Sequence, residues 1–255
     1  MNEDFEQAVA LLRRAERIAV LTGAGISTES GIPDFRGPNG VWTKDPQAEK
    51  LATLQHYVAN PEVRKQSWRN RVEHNFFSAE PNAGHQALVD LERAGKLIAV
   101  MTQNVDGLHL QAGSTAAIVH ELHGTVHRVK CLDCGEEAPM ERALARVRAG
   151  EDDPACRTCG GILKSASISF GQSLVPAVVD AAERAALACD LMMAIGSTLA
   201  VYPAAGLVPL AVRSGAGLII VNDQPTTYDD LADVVLRERI GTVLPALVAA
   251  LGSLG

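Results

Sequence analysis

Positive charge is in short supply in this chain: 23 Lys and Arg stand against 30 Asp and Glu, a formal net charge of -7 over 255 residues. Bulk electrostatics therefore give no grip on nucleic acid or an anionic membrane, leaving only a local basic groove open. The start, MNEDFEQAVA, has neither a basic n-region nor an apolar h-region, so no secretory signal is visible and the cytoplasm is the expected compartment. Internal repeats and low-complexity tracts are absent. An unbroken membrane helix is lacking too. Leu191 to Val212 carries no charge and is long enough to cross a bilayer. Gly196, Ser197, Thr198, Pro203, Gly206 and Pro209 interrupt it, and Asp190 and Arg213 flank it. It reads as a buried strand, a turn and a buried helix, as a parallel sheet covered on both faces requires.

A hydrophobic content of 47% supports a substantial core in one large domain with an elaboration, or two small ones. Apolar runs at Ile18–Leu21, Leu97–Met101, Ile118–Leu122, Leu191–Ile195, Leu218–Val221 and Val234–Leu236 read as strands. Helical periodicity falls at Phe5–Ala15, His85–Ala94, Ala177–Cys189, Val201–Arg213 and Val243–Leu251. Such alternation predicts a doubly wound, Rossmann-like parallel α/β sheet.

Two insertions interrupt the alternation. Residues 38–80 hold Trp42, Tyr57, Trp68, Phe76 and Phe77, and form either a small helical subdomain or a plain helical cover over the sheet. Residues 125–164 are rich in charge and turn residues and hold four of the five cysteines. The large part is then about 1–37, 81–124 and 166–255, and the small module comes from about 38–80 and 125–165.

Nearly every strand ends in small or polar residues: Thr22-Gly23-Ala24-Gly25, Thr102-Gln103-Asn104-Val105-Asp106, His123-Gly124, Gly196-Ser197-Thr198 and Asn222-Asp223. Ligands bind outside the carboxyl ends of such strands, so these clusters should converge on one crevice. Gly23-x-Gly25 after a strand lets backbone N–H groups approach a pyrophosphate, and Asp34 and Arg36 place opposite charges just beyond. The dinucleotide fingerprint is nevertheless incomplete. Ser27 and Thr28 stand where its third glycine falls, and Asp45 and Glu49, near the ribose carboxylate spacing, lie in a Pro-containing stretch.

Cys131-x-x-Cys134 and Cys156-x-x-Cys159, each followed by glycine, are separated by 21 residues. Two such knuckles complete a closed tetrahedral shell for one structural Zn2+. A dithiol redox pair or a nucleic-acid ribbon would use similar residues. The first needs only one pair, and Asp133, Glu136 and Glu137 disfavour the second. Cys189 reads as a small core hydrophobe. His120 and His123 point to opposite faces of a strand, which disfavours a shared metal. His123, at the crevice end, suits a general base.

Taken together these residues resemble the sirtuin family of NAD-dependent protein deacylases. Gly23 to Arg36, Thr102 to His109 and Glu121-Leu122-His123-Gly124 look like its three motifs, followed in order by the paired Cys-x-x-Cys, Phe170-Gly171, Gly196-Ser197-Thr198-Leu199 and Asn222. The resemblance implies NAD with its pyrophosphate at Gly23, Ala24 and Gly25, beside Ser27, Asp34, Arg36 and Trp42. Gly196, Ser197, Thr198, Asn222 and Ile240 lie toward the adenosine half, Asn104 and Asp106 hold the nicotinamide end, and Phe35 covers the ribose. It implies that the acyl oxygen attacks the ribose as nicotinamide leaves, with Gln103 orienting a ribose hydroxyl that His123 deprotonates. Lysine and O-acyl-ADP-ribose are the products. The acyl-lysine peptide adds as a strand between Ile168, Phe170 and Gly171 and a loop near Leu199 to Pro203.

Several positions depart from the family pattern. Ser165, Ser167, Ile168 and Gln172 replace commoner residues, Ser197-Thr198 reverses the usual order, and Arg237-Glu238-Arg239-Ile240 lacks a glycine. Members that prefer acidic acyl groups carry a Tyr-x-x-Arg pair that binds the acyl carboxylate, whereas this chain has Trp68 and Arg71 at the aligned positions, where the resemblance implies that both line the acyl pocket. An uncharged acyl group, acetyl first, is therefore expected. Protein mono-ADP-ribosyl transfer and an NAD-sensing module without turnover are the alternatives.

Overall fold

The computed structural model describes residues 3–34, 37, 40–44, 53–73 and 78–252, with the side chains of Val41 and Trp42 left aside. Six strands form one parallel sheet: β1 (Ile18–Thr22), β2 (Leu97–Thr102), β3 (Val119–Glu121), β7 (Leu191–Ile195), β8 (Gly217–Val221) and β9 (Val234–Leu236). Their order is β3-β2-β1-β7-β8-β9, each pair parallel. Burial on both faces follows from the side-chain period of two. Ile18 and Val20 pack with Leu12, Leu88, Leu91, Leu244 and Leu247 from helices Glu3–Arg14, Ala83–Arg93 and Ile240–Gly252. Ala19 and Leu21 face Ala182, Ala186, Val208 and Ala211 from helices Pro176–Ala188 and Leu207–Arg213. Each fully buried aliphatic side chain here contributes about 1.5–3 kcal/mol.

The charge-free stretch resolves into β7, a turn and a helix that begins only at Leu207, after a 3-10 turn over Ala204–Gly206. Pro203 and Gly206 delay the helix, while Pro209 falls in its first turn, where a missing N–H costs nothing. Among the described residues no helix is long and apolar enough to cross a membrane.

A second, antiparallel sheet holds β5 (Glu137–Pro139), β4 (Gly124–Cys131) and β6 (Leu163–Ser167), in the order β5-β4-β6. Helix Met140–Arg148 packs on it through Met140, Ala143 and Leu144. The helices Leu54–Ala59 and Pro61–Glu73 from the first insertion join this core rather than covering the large sheet. Trp68 sits among Val129, Cys131, Met140 and Leu163, and the Tyr57 hydroxyl donates to the Leu163 carbonyl at 2.7 Å.

Candidate active site

The order in which strands are added reverses between the parallel strands β1 and β7: crossovers from β1 run outward to β2 and β3, and those from β7 run the other way to β8 and β9. The crevice beyond the carboxyl ends of β1 and β7 is therefore the switch point where an open α/β sheet binds ligands. Three glycines close its floor. A Cβ on Gly23 would lie 2.7 Å from the Gly196 carbonyl oxygen and from Ser197 Cβ, one on Gly25 2.6 Å from Gly196 Cα, and one on Gly196 2.4 Å from the Ile26 nitrogen. Gly196 also has φ +64, which favours glycine.

This corrects one expectation about the glycine run. The Gly23 N–H donates to Ile195 O at 3.0 Å and the Gly25 N–H to Gly196 O at 2.8 Å, so neither is open to a phosphate. The two glycines allow loop-to-loop contact. Ala24, which opens the 3-10 helix Ala24–Ser30, sits where backbone N–H groups have no partner within a helix.

Side chains from the segments that follow β1 and β2 interlock above this floor. Ser27 Oγ, fully buried, donates to Asp106 Oδ2 at 2.8 Å and accepts from Asn104 Nδ2 at 3.1 Å. Asn104 Nδ2 also donates to Gly23 O at 3.1 Å, so both contacts of the amide nitrogen fix its orientation. The second oxygen of buried Asp106 accepts from the Leu108 N–H at 3.0 Å. Gln103 Nε2 donates across to Ser197 Oγ at 3.0 Å, tying the β2 end to the β7 end.

His123, just past β3, is held by Gln103. Its Nδ1 lies 3.0 Å from the Gln103 carbonyl oxygen, and an oxygen that only accepts requires Nδ1 to carry the proton. In the neutral ring the lone pair is then on Nε2. Burial pushes the imidazole pKa down, against the opposing backbone hydrogen bond, so the neutral form predominates at pH 7. Behind the loop a hydroxyl chain supports it. The Thr22 hydroxyl donates to Thr102 Oγ1 at 2.8 Å, Thr102 Oγ1 accepts from the Asn104 N–H at 3.0 Å, and His109 Nε2 lies 2.9 Å from Thr22 Oγ1. His109 stacks edge-on against His85 with centroids 5.0 Å apart, and burial lowers their pKa values to about 3 and about 4.

The remaining expected residues divide. Asn222 is buried at the end of β8, its Nδ2 donating to Gln224 O at 2.8 Å, and Thr198 O accepts from the Thr227 N–H at 3.2 Å. Ile240 is half-buried, its Cγ2 3.0 Å from where a Gly84 Cβ would be. Asp34 Oδ1 accepts from the Gly37 N–H at 3.1 Å and so shapes its own turn. The Ile168 N–H donates to His123 O at 2.7 Å, while Phe170 is exposed and its carbonyl accepts from the Leu54 N–H at 3.0 Å. Gly171 has φ +82, with Gln55 filling the space of a Cβ at 2.9 Å. Phe35 and Arg36 lie outside the described residues, as does the Trp42 side chain.

Trp68 is a correction. It is 0% exposed at the centre of the small module's core, so it offers no surface to an acyl group. Its flat bulk fills the space between Pro61–Glu73 and the antiparallel sheet. Arg71 stacks on it at 5.6 Å and directs three of its five N–H donors to Ser67 O, Ser67 Oγ and, at 2.9 Å, Ser165 Oγ.

The sulfurs of Cys131, Cys134, Cys156 and Cys159 all lie within 4.8 Å of one another, with Cys131 to Cys159 at 3.5 Å and Cys134 to Cys156 at 3.7 Å. A tetrahedron of Zn–S bonds near 2.3 Å places sulfurs about 3.8 Å apart, so the donor set fits zinc and leaves no open position. All four are free thiols rather than disulfides.

A family model described as the Sir2 family matches residues 23–203, the span from the first glycine of the crevice to the loop after β7. The chain belongs to the Sir2 family. It is 53% identical over 235 residues, 92% of this chain and 98% of the relative, to NAD-dependent protein deacetylase 2 of Streptomyces coelicolor. It is 40% identical to NAD-dependent protein deacylase 2 of Archaeoglobus fulgidus, covering 97% of this chain and 96% of that one. A solved complex named Sir2-p53 peptide-NAD+ superposes with a TM-score of 0.88 at 33% identity, covering 99% of both chains.

Within this Sir2 fold, two supports escaped the sequence reading. Asn82 caps helix Ala83–Arg93 in a reciprocal box with His85, and its Nδ2 donates to Ile26 O at 2.7 Å and Ser30 Oγ at 2.9 Å, fastening the helix to the glycine loop. The signal was an Asn three residues before a hydrogen-bonding side chain at a helix start. His127 carried no local signal at all.

Proposed function

We infer that this Sir2-family chain is an NAD-dependent protein lysine deacylase acting first on acetyl-lysine. The observation that carries the reading is His123, whose Nδ1–H is pinned to Gln103 O while burial keeps the ring neutral. Bound NAD supplies an electrophilic ribose carbon, nicotinamide as leaving group, and the acceptor that departs with the acyl group as O-acyl-ADP-ribose. The chain's own residues receive it along the crevice. Ala24 and its 3-10 helix suit the phosphates, Ser197, Asn222 and Ile240 the adenosine half, and Asn104 with Asp106 the nicotinamide end. His123 Nε2 takes a proton from a ribose hydroxyl, a step at which a placed base typically contributes about 10²–10⁴-fold. Gln103 joins His123 to Ser197 and so sets that ring against the cofactor side of the crevice.

The peptide adds beside Ile168, Phe170 and Gly171. Trp68 supports a neutral acyl group, because it has no phenol oxygen to pair with Arg71 in binding an acyl carboxylate and lies in the module's core. The names of the relatives support deacylation, and the solved peptide complexes support a peptide substrate. A single catalytic domain with the two insertions merged into one module fits the shared core of Trp68 and Cys131. The cytoplasm fits four free thiols, which a reducing compartment keeps available for zinc.

Mass spectrometry of acetyl-, succinyl- and longer acyl-lysine peptides incubated with NAD tests this. Nicotinamide, free lysine peptide and O-acetyl-ADP-ribose are expected, with acetyl fastest. Transfer of ADP-ribose to protein without peptide deacylation would replace the reading with ADP-ribosyl transfer, and no product at all would favour a sensing module.

A further inference from the structure

Asp106 is held from inside the large sheet by Ser27, and from outside by a residue of the small module. His127 lies on β4, the strand that ends in Cys131, and is exposed as a residue while its Nε2 contact is part-buried. His127 Nε2 lies 2.6 Å from the Asp106 backbone oxygen. That oxygen can only accept, so Nε2 carries the proton and donates. The next residue, Gly107, has φ +71, and a Cβ there would meet His127 Cδ2 and Nε2 at 2.9 Å. The imidazole thus fills the space that a side chain would need. One residue earlier, the Val126 N–H donates to Val105 O at 2.9 Å. Three successive residues of the loop, 105 to 107, are therefore clamped by two successive residues of β4. Glu121 completes the surroundings. Burial raises its pKa, and it feels the charges of both His127 and Asp106.

We propose that His127 is a positioning residue for the cofactor: it fixes the peptide plane between Asp106 and Gly107, holds the Asp106 carboxylate against Ser27, and couples the four-cysteine module to the nicotinamide end of the crevice. The proposal rests on the reading that Asp106 contacts NAD. Because His127 belongs to none of the buried core clusters, its loss leaves the core packing intact, and a merely structural contact would show little effect on ligand affinity.

The test compares His127→Phe, which keeps a ring over Gly107 and removes the donor, with His127→Gln, which keeps a donor. Calorimetric NAD binding, KM for NAD, KM for an acetyl-lysine peptide, zinc content and thermal midpoint are measured in the full chain. His127→Phe is expected to weaken NAD binding and raise its KM by about three- to tenfold, the range of one hydrogen bond, with peptide KM and zinc content unchanged. His127→Gln should recover most of that loss. In a Gly107→Ala background, where the ring is already displaced, His127→Phe should add almost nothing. Unchanged NAD affinity in His127→Phe, with the natural chain binding NAD normally, would overturn the positioning role alone. Equal rises in both KM values with a lowered midpoint would overturn it in favour of a structural role. Failure of the natural chain to bind NAD would overturn the reading of the site and this proposal with it.

Discussion

The crevice and the four-cysteine module use polar side chains in opposite ways. In the module the four sulfurs come from two short knuckles and converge within 4.8 Å of one another, a donor set that suits one zinc ion. In the crevice the polar groups come from the ends of β1, β2, β3 and β7, far apart in sequence, and the sheet itself brings them together. Four thiolates at one point need a cation between them, whereas the crevice side chains hold one another by hydrogen bonds. Organisation by a ligand and preorganisation for one are thus found side by side, joined through β4.

Zinc removal should separate the two most sharply. Structural zinc in small modules is worth on the order of 10 kcal/mol. Chelation is expected to speed amide hydrogen exchange across β4, β5 and β6 while β1, β7 and β8 stay protected. Simultaneous loss of protection in both sheets would break the distinction.

His123→Ala should have the next largest effect, lowering deacylation by about 10²–10⁴-fold with NAD affinity retained, because the hydrogen bonds of Asn104, Asp106 and Ser27 do not pass through His123. Steady-state rates with calorimetric NAD titration check this. Undiminished turnover would remove His123 from the base position.

Acid reaches both sides, since the cysteine thiolates also gain protons as pH falls, and His85 and His109 give the crevice side its own share. In the unfolded chain His85 and His109 titrate near pH 6.5, but in the fold burial holds them at about 4 and about 3. Below pH 6.5 the unfolded chain takes up protons that the folded chain refuses, so this stability is complete above pH 6.5 and lost as pH falls. The loss should reach about 2–3 kcal/mol per histidine by pH 4.5. Urea midpoints from pH 7 to 4.5 measure it, and a flat series would contradict the burial of neutral imidazoles.

Asn82→Ala should have the smallest effect, about 1 kcal/mol, by removing the cap of helix Ala83–Arg93 and its bond to Ile26. Urea denaturation reads it.

Legibility followed the same division. The cysteine knuckles and the apolar strands were plain because both signals are local: a spacing in one case, an unbroken buried run in the other. The convergence of Gln103, Asn104, His123 and Ser197 was also readable, because parallel order forces strand ends together. The reason for Gly23 and Gly25 was not, since it depends on β7 lying beside β1 and on Gly196 meeting them there. Trp68 was misplaced because its alignment carries no information about the face it presents, and helix Pro61–Glu73 turns it into the module. His127 was invisible for a similar reason. Its partner, the Asp106 carbonyl, belongs to the loop that follows β2 of the other sheet, and backbone acceptors leave no mark in a sequence.

The state of His123 is the most direct test of the whole account. Nitrogen-15 NMR of labelled protein at pH 7 should show a neutral ring protonated at Nδ1 with a bare Nε2, titrating below pH 6.5. A ring protonated at Nε2 alone, or an imidazolium at pH 7, would contradict it.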